Sequence, residues 1–354
     1  MPLSPSHPLV DGRTANAPLI RAYRGDRPER TPVWFMRQAG RSLPEYRELR
    51  AGGDMLQACL TPEVASEITL QPVRRHGVDA GIFFSDIVVP VLLAGVDVRI
   101  VGGRGPVIDE PVRSASDVLK LRPLEPEALA PVREAVAMTV EQLGSTPLIG
   151  FAGAPFTLAA YLVEGGPSKD QMRARALMHS DPHTWATLLN WCADVTGEFL
   201  RAQIEAGASA AQLFDSWIGS VSQNDYLRRV APHSKRAFSH LRGLDVPKVH
   251  FGLGTERILP DIANLGVDAI GIDWRLPLDE ANEMLGGRFP LQGNIDPAFL
   301  GARWPTLKAH VDAVLDAGRA APAHVANLGH GVPPETDPDV LTGIVRYIHG
   351  EQPD

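Results

Sequence analysis

The stretch PVWFMRQAGR, residues 32–41, places an apolar run directly before two arginines. The run ends at Arg37, and Arg41 follows four residues later. Because no polar side chain interrupts PVWFM, the run is typical of a strand that is buried on both faces, as in a parallel sheet. The stretch therefore predicts a buried strand with two guanidinium groups beyond its carboxyl end.

Seven further apolar runs of this kind follow along the chain. Together with the first run they give eight predicted strands: Pro32–Met36, Gly81–Ser85, Pro147–Phe151, Ala210–Phe214, Pro247–Phe251, Ala269–Ile272, Pro290–Gln292 and Ala323–Asn327. Eight segments with helical spacing alternate with them: Pro62–His76, Glu125–Gln142, Pro182–Ala206, Gln223–Leu241, Thr255–Leu265, Leu278–Leu285, Pro297–Ala317 and Pro338–His349. Five of these segments follow a residue of N-cap type, namely Thr61, Asp181, Ser222, Asp296 and Asp337.

This alternation predicts an α/β protein with a single (β/α)₈ TIM barrel domain over residues 18–350. A doubly wound open sheet would show the same periodicity, but no Gly-x-Gly-x-x-Gly motif follows a predicted strand. Residues 1–17 are rich in Pro, Ser and Asn, which predicts a flexible N-terminal segment. Residues 95–112 resemble a small hairpin inserted after the second strand.

The composition limits the class of partner. A formal net charge of -8 over 354 residues argues against nucleic-acid binding and against binding to anionic membranes. A local arginine cluster can still bind an anionic substrate against that overall charge. The apolar stretches at 87–96 and 151–163 contain proline and are too short to span a bilayer.

The cysteine count and the first residues predict the compartment. Two cysteines, Cys59 and Cys192, give no disulfide framework, which favours a reducing, cytoplasmic setting. Residues 1–20 carry no basic segment before an apolar core, so we expect no secretory signal. We also expect no metal site, since neither a His-x-Cys pair nor an HExxH motif is present.

Chemically useful side chains follow the predicted strands. Because the carboxyl ends of barrel strands meet on one rim, we expect these side chains to surround one cleft. They are Arg37, Arg41, Asp86, Tyr161, Ser216 and His330. Each also has a structural interpretation: the arginines could pair with Asp86 or Glu45, Asp86 could cap a helix, and His330 could be an ordinary loop histidine.

Two long segments, FMRQAGRSLPEYR (35–47) and GFAGAPFTLAAYLVEGG (150–166), closely resemble the signature segments of the uroporphyrinogen decarboxylase family. Further blocks resemble the same family in the right order: FFSDIVVP, FDSWIGS, GLGT, LQGNIDP and NLGHGVPPETDP. The resemblance extends from about Pro18 to His349.

The resemblance implies a (β/α)₈ barrel that forms a homodimer with facing clefts. It also implies decarboxylation, without cofactor or metal, of the four acetate side chains of uroporphyrinogen III to give coproporphyrinogen III in heme biosynthesis. The substrate-binding motif then falls on Arg37, Gln38, Ala39, Gly40 and Arg41, and the key aspartate on Asp86. The resemblance places further substrate contacts at Tyr161, Ser216 and His330, and Arg37 and Asp86 become the expected catalytic pair.

Two other functions compete with this one. A zinc-dependent methyltransferase of the same barrel lineage would need thiolate and imidazole ligands, and only Cys59 and Cys192 could supply thiolates. A tetrapyrrole carrier could have kept the pocket and lost the chemistry, although the presence of Arg37, Arg41 and Asp86 favours the enzyme.

Overall fold

A curled parallel sheet of seven strands forms the centre of the protein. The computed structural model describes residues 2–351. In that range the strands are β1 Gly81–Ile82, β2 Val98–Val101, β3 Gly105–Ile108, β4 Leu148–Gly153, β5 Ala210–Asp215, β6 Lys248–Gly252, β7 Ala269–Gly271, β8 Leu291–Gln292 and β9 His324–Val325. The sheet has the order β1-β4-β5-β6-β7-β8-β9, and every neighbouring pair is parallel. Seven of the eight predicted strands are thereby confirmed.

The remaining predicted strand, residues 32–36, contacts both edges of this sheet. Val33 forms an isolated parallel bridge with Ala326, just after β9. The Trp34 amide donates to the Ala326 carbonyl at 3.2 Å, and the Asp79 amide, just before β1, donates to the Val33 carbonyl at 2.8 Å. The segment therefore lies between the first and the last strand of the sheet.

Helices surround the sheet, and many begin with proline. Over the described residues the α-helices are α1 Pro18–Tyr23, α2 Pro44–Leu49, α3 Met55–Cys59, α4 Pro62–His76, α5 Val89–Leu93, α6 Ala115–Val118, α7 Ala130–Leu143, α8 Pro155–Glu164, α9 Met172–Ser180, α10 Pro182–Glu205, α11 Gln223–Arg229, α12 Ala231–Ser239, α13 Leu259–Ile262, α14 Leu278–Met284, α15 Trp304–Gly318 and α16 Pro338–Ile348. Short 3₁₀ turns lie at Pro126–Leu129, Ile218–Ser220, Glu256–Ile258, Ala263–Leu265 and Pro297–Gly301.

Most of the predicted helix starts are confirmed. Asp181, Ser222, Asp296 and Asp337 each accept a hydrogen bond from a backbone amide in the first turn. Thr61 is also the N-cap residue of α4, but its hydroxyl makes no capping bond and donates instead to the Gln57 carbonyl of α3 at 2.9 Å. The hydroxyl therefore terminates the preceding helix α3.

Four of the predicted helices are interrupted near a proline. The predicted helix over 125–142 divides into the 3₁₀ turn at Pro126–Leu129 and α7, whose second residue is Pro131. The predicted helix over 223–241 divides into α11 and α12 at Val230, two residues before Pro232. Proline lacks an amide hydrogen and its ring clashes with the preceding turn, so it favours a new helix start. Pro260 and Pro305 are the second residues of α13 and α15, as Pro232 is of α12, and both of these helices follow 3₁₀ turns.

The predicted insertion after the first sheet strand is a hairpin. Strands β2 and β3 pair antiparallel, with Val98 opposite Ile108 and Val101 opposite Gly105. Its second strand bonds to the body of the protein, because the Ile108 amide donates to the Gly165 carbonyl at 3.1 Å. The hairpin thus lies beside the end of α8.

The N-terminal residues contact the amino end of the sheet. His7 hydrogen-bonds to the Ile204 carbonyl at 3.0 Å, and the hydroxyls of Thr14 and Ser209 are 2.8 Å apart. Within α1, Tyr23 is fully buried and accepts a hydrogen bond from Trp34 at 3.1 Å. The flexibility expected of residues 1–17 stays a prediction. No helix between residues 2 and 351 is long and apolar enough to cross a bilayer.

Candidate active site

The first feature of the site is the backbone at Arg37. Its φ is 60°, a left-handed conformation that is uncommon for a residue with a side chain. Two backbone hydrogen bonds stabilise the turn. The Gln38 amide donates to the Phe35 carbonyl at 3.0 Å, and the Val332 amide donates to the Met36 carbonyl at 2.8 Å. Such backbone strain costs on the order of 1 kcal/mol or more and is typically found at functional sites.

The guanidinium groups of Arg37 and Arg41 are both exposed and unpaired within residues 2–351. The structural alternative for these arginines is therefore wrong for both expected partners. Glu45 instead receives two hydrogen bonds from Arg75, at 2.7 and 2.8 Å. Arg47 fixes the loop, because its Nη1 donates to the Arg41 carbonyl at 2.8 Å. Two unpaired cations at one strand end form a site suited to carboxylate or phosphate.

The residues between these arginines shape the loop. Gln38 is fully buried, and its side-chain amide accepts from the Phe35 amide and donates to the Ala80 carbonyl, both at 3.0 Å. Ala39 is partly buried. A Cβ on Gly40 would lie 3.2 Å from the Arg37 carbonyl oxygen, so glycine suits this tight turn. The substrate contacts expected of these three residues stay predictions.

Asp86 lies beyond β1 and is partly buried. Its Oδ1 accepts a hydrogen bond from the Val88 amide at 3.0 Å. The expected capping role is wrong, because the N-cap of α5 is Val88 and that helix has no side-chain cap. Its Oδ2 has no hydrogen-bond partner among the described residues. Burial raises the pKa of Asp86, whereas the Val88 amide and the charge of Arg37 oppose that rise. One carboxylate oxygen is therefore available to a ligand.

Tyr161 on α8 lies within electrostatic reach of Asp86. Burial, and to a smaller extent the Asp86 charge, raise the pKa of Tyr161 to about 12. Its ring stacks on Trp217, with centroids 4.0 Å apart and an interplanar angle of 24°. Its hydroxyl has no partner among the described residues, so it is protonated at neutral pH and free to donate.

A buried carboxylate, Asp215, is connected through Thr157 to the segment that contains Ser216 and Trp217. Asp215, the last residue of β5, is fully buried and accepts a hydrogen bond from the Thr157 hydroxyl at 2.7 Å. The same hydroxyl accepts from the Trp217 amide at 3.4 Å. Sequence analysis missed Thr157, although it lies in the GAPFT segment directly after β4. Ser216 itself is partly buried between these two positions.

His330 lies on the loop after β9. Burial lowers the pKa of His330, and the charges of Arg37 and Arg275 lower it further. The imidazole is therefore neutral at pH 7 and keeps one N–H donor. Its ring meets the Trp274 ring edge to face, with centroids 6.1 Å apart.

Three of the other predicted residues lie within reach of the charge of Arg37. This charge acts on the carboxyl of Asp86, on the phenol of Tyr161 and on the imidazole of His330. Asp86 follows β1, His330 follows β9, Arg37 follows residues 32–36 and Tyr161 lies on α8. The fold thus brings together residues from four separate parts of the chain. The arrangement combines cations, neutral donors and a single carboxylate.

Neither cysteine belongs to a group of metal-ligating side chains within residues 2–351. Cys59 and Cys192 are both buried and free, and burial raises the pKa of each thiol. No three His, Cys, Asp or Glu side chains of the described part are grouped so that they could hold a metal ion. Buried, protonated thiols are poor zinc ligands.

Among solved structures, the fold is similar to that of a methyltransferase from Methanosarcina mazei. The TM-score is 0.79 at 20% sequence identity, over 95% of this chain and 98% of that one. At this identity the likeness concerns the fold alone.

Sequence comparisons give a closer relationship. The family model described as uroporphyrinogen decarboxylase (URO-D) matches residues 14–350. A uroporphyrinogen decarboxylase of Arthrobacter sp. (strain FB24) is 65% identical over 98% of this chain and 100% of its own length. One from Leifsonia xyli subsp. xyli (strain CTCB07) is 61% identical over 98% of each chain. The chain therefore belongs to the uroporphyrinogen decarboxylase family.

Proposed function

We propose that this chain is a carboxy-lyase that converts the four acetate side chains of uroporphyrinogen III to methyl groups, giving coproporphyrinogen III for heme biosynthesis. The observation that carries the proposal is the unpaired guanidinium group of Arg37, whose charge acts on the partly buried carboxylate of Asp86. A second unpaired guanidinium group, that of Arg41, follows four residues later. The family relationship supports the choice of substrate.

The arginines match the charge of the substrate. Uroporphyrinogen III carries eight carboxylates, and guanidinium binds carboxylate through two parallel hydrogen bonds. Arg37 and Arg41 anchor these arms at the cleft. The neutral imidazole of His330 and the free hydroxyl of Tyr161 donate to further oxygens, and Ser216 lies on the same rim.

The reaction requires an electron sink, and the pyrrole ring itself supplies it. A proton adds to a ring carbon and generates an iminium-type cation. The bond between the acetate methylene and its carboxylate then breaks, CO₂ leaves, and the electron pair neutralises the ring. A proton on the resulting exocyclic methylene, with loss of the ring proton, completes the methyl group. Each cycle thus consumes one proton and releases one CO₂, and needs no cofactor.

Asp86 stabilises the cation that forms in this sequence. Its free Oδ2 faces no protein donor in the described chain and is available to pyrrole N–H groups. An anion fixed before the reaction, in a partly desolvated site, stabilises developing positive charge more strongly than water does. Arg37 acts with it, because its positive charge opposes the effect of burial and favours the ionised form of Asp86.

We also propose that residues 32–36 act as an eighth strand that completes a (β/α)₈ barrel. Hydrogen bonds to Ala326 on one side and from Asp79 on the other support this assignment. The family relationship further supports a homodimer with facing clefts and a cytoplasmic location. Light scattering on a sizing column tests the dimer, and a mass of one chain would refute it.

The proposed activity is tested with uroporphyrinogen III and chelator-treated protein in the absence of oxygen. After oxidation, the porphyrins are separated by their number of carboxylates. Species with seven, six, five and four carboxylates are expected. Eight-carboxylate porphyrin alone, from protein that still binds it, would refute the enzyme in favour of a carrier. Activity that depends on added zinc would refute the metal-free reaction.

A further inference from the structure

A row of contacts leads away from Arg37 along the rim. The Arg37 side chain passes over Gly331 so closely that any Cβ there would collide with its Cδ and Cγ. Next to Gly331, the His330 ring meets Trp274 edge to face. The loop containing His330 also packs tightly on that tryptophan, since a Cβ on Gly329 would collide with the Trp274 backbone. The loops after residue 36, after β7 and after β9 thus form one surface.

Arg275 ends this row. Its guanidinium lies over the Trp274 ring, with Cζ 3.9 Å from the ring centroid. Its Nη1 donates to Asp273 Oδ2 at 2.7 Å, and its amide donates to Asp273 Oδ1 at 2.8 Å. Asp273 is buried, with its Oδ2 also bound by the Gly254 amide. The cation is therefore fixed by a stacked ring and by an anchored carboxylate.

The anchored side chain keeps binding capacity. Within residues 2–351, only Nη1 has a hydrogen-bond partner, so Nε and Nη2 are free to donate. The side chain is 52% exposed. It also borders a cavity of about 400 Å³ between the loops after β5, β6 and β7. Its charge reaches His330, as does that of Arg37.

We propose that Arg275 binds a carboxylate arm of the tetrapyrrole, continuing the row of donors that begins with Arg37 and His330. This inference rests on the proposed function, because it assigns Arg275 to the same substrate. We assign Arg275 to an arm other than the reacting one, because its charge acts on His330 and is not among the charges that act on Asp86. Arg275 therefore acts as a substrate-binding residue that contributes to affinity and leaves the chemical step unchanged.

The experiment compares Arg275→Gln with a matched control, Arg242→Gln. Arg242 is an exposed arginine in the segment between α12 and β6, at the opposite end of the sheet, and its loss changes the net charge equally. Binding is measured by fluorescence titration with uroporphyrin III, and kcat and KM are measured with uroporphyrinogen III. For Arg275→Gln we expect the affinity to fall and KM to rise, each about 5- to 20-fold, as for loss of one charged hydrogen-bonding group. The kcat should stay within about twofold of the parent value. Arg242→Gln should match the parent.

A purely structural role for Arg275 gives a different pattern. If Arg275 only held the loop, Arg275→Gln would move His330 and lower kcat together with the thermal stability. Arg275→Lys separates the roles further, since it keeps the charge and should recover part of the affinity. Unchanged affinity and KM in Arg275→Gln would overturn the inference. Absence of turnover by the parent protein would instead refute the proposed function, and the uroporphyrin titration would still decide whether Arg275 binds the carboxylates.

Discussion

Arg37 lies near enough to Asp86 for its charge to oppose the rise in pKa that burial causes in that carboxyl, yet the two side chains form no ion pair in the described structure. The charges therefore influence each other without neutralising each other. Asp86 keeps an oxygen without a partner, and Arg37 keeps all its donors. A site of this kind accepts a ligand that carries both carboxylates and a developing cation, as the proposed reaction requires.

Replacement of Arg37 should chiefly weaken substrate binding. Arg37→Ala removes one bidentate anchor, so KM should rise by roughly 10- to 100-fold while kcat falls less, because the lost charge-assisted bonds contribute about 1.5–3 kcal/mol. Steady-state kinetics with uroporphyrinogen III measures both constants. Arg242→Ala, at the far end of the sheet, is the control. An unchanged KM in Arg37→Ala would show that the anchor lies elsewhere.

The carboxylate of Asp86 should reduce stability at neutral pH. Burial raises the pKa of Asp86, so the folded state binds the proton more tightly than the unfolded state does. The stability from that proton is present at low pH and lost as the pH rises through the raised pKa. Asp86→Asn should therefore raise Tm at pH 7 by about 1–3 °C.

That gain should shrink as the pH falls, because protonation then neutralises the wild-type carboxyl as well. Scanning calorimetry of both proteins between pH 7.5 and 4 measures the difference. A gain that grows on acidification would have the wrong sign and would refute the burial effect assigned to Asp86.

The Thr157 hydroxyl should support both stability and substrate binding. Thr157→Val keeps the side-chain shape but removes the one hydrogen bond that the buried Asp215 carboxylate accepts among residues 2–351, which costs about 1–3 kcal/mol. It also removes the acceptor for the Trp217 amide, so the Trp217–Tyr161 stack should shift and KM should rise. Chemical denaturation and kinetics measure the two effects.

Thr139→Val is the matched control for that variant. Thr139 is equally buried, but in the described part of the chain its hydroxyl bonds to nothing beyond the Ala135 carbonyl, one turn earlier in α7. We expect a smaller loss of stability there and an unchanged KM. Equal behaviour of Thr139→Val and Thr157→Val would contradict the link from Asp215 to the substrate loop.

Buried histidines should make the protein sensitive to mild acid. Burial lowers the pKa of His76 and of His324 from 6.5 to about 4. Between about pH 6.5 and about pH 4 the unfolded chain binds more protons than the folded chain does. The free energy of unfolding should therefore fall as the pH drops through this window. Urea unfolding at pH 7.5, 5.5 and 4.5 measures the fall.

His76→Gln should flatten that pH dependence, because glutamine can still hydrogen-bond to Thr342, which lies 2.8 Å from His76 Nδ1, and does not titrate. The expected change is on the order of 1–3 kcal/mol across the window. A slope identical to that of the parent protein would contradict the role of His76.

Continuous apolar runs were sufficient to predict the sheet. PLIGF is typical of a strand that is covered on both faces and so needs no polar position, and AAQLF fits the same pattern apart from Gln212, which is buried. β4 and β5 begin within one residue of the predicted starts. The helix over 223–241 was wrong because periodicity does not register the effect of a proline on the preceding turn.

The sequence could predict which residues lie at the candidate site, but it could not predict whether their charged groups are paired. Strand ends identified Arg37, Arg41 and Asp86, but spacing could not distinguish a free guanidinium from a paired one. The pairing depends on Arg75, which lies 30 residues from Glu45 and binds the carboxylate that was an expected partner of Arg41. Arg275 was missed for a similar reason: its value follows from stacking on Trp274 and anchoring by Asp273, which only the folded loop shows.

The most direct test of the account is to measure turnover and binding of Asp86→Asn side by side, with Asp245→Asn as the control. Asp245 is exposed near the amino end of β6, so its replacement should change neither quantity. If Asp86 stabilises the pyrrole cation, kcat with uroporphyrinogen III should fall by at least about 100-fold. Uroporphyrin III should still bind within about threefold of the parent affinity, since the arginines are intact. Near-normal kcat in Asp86→Asn would contradict the role assigned to Asp86 and with it the proposed mechanism.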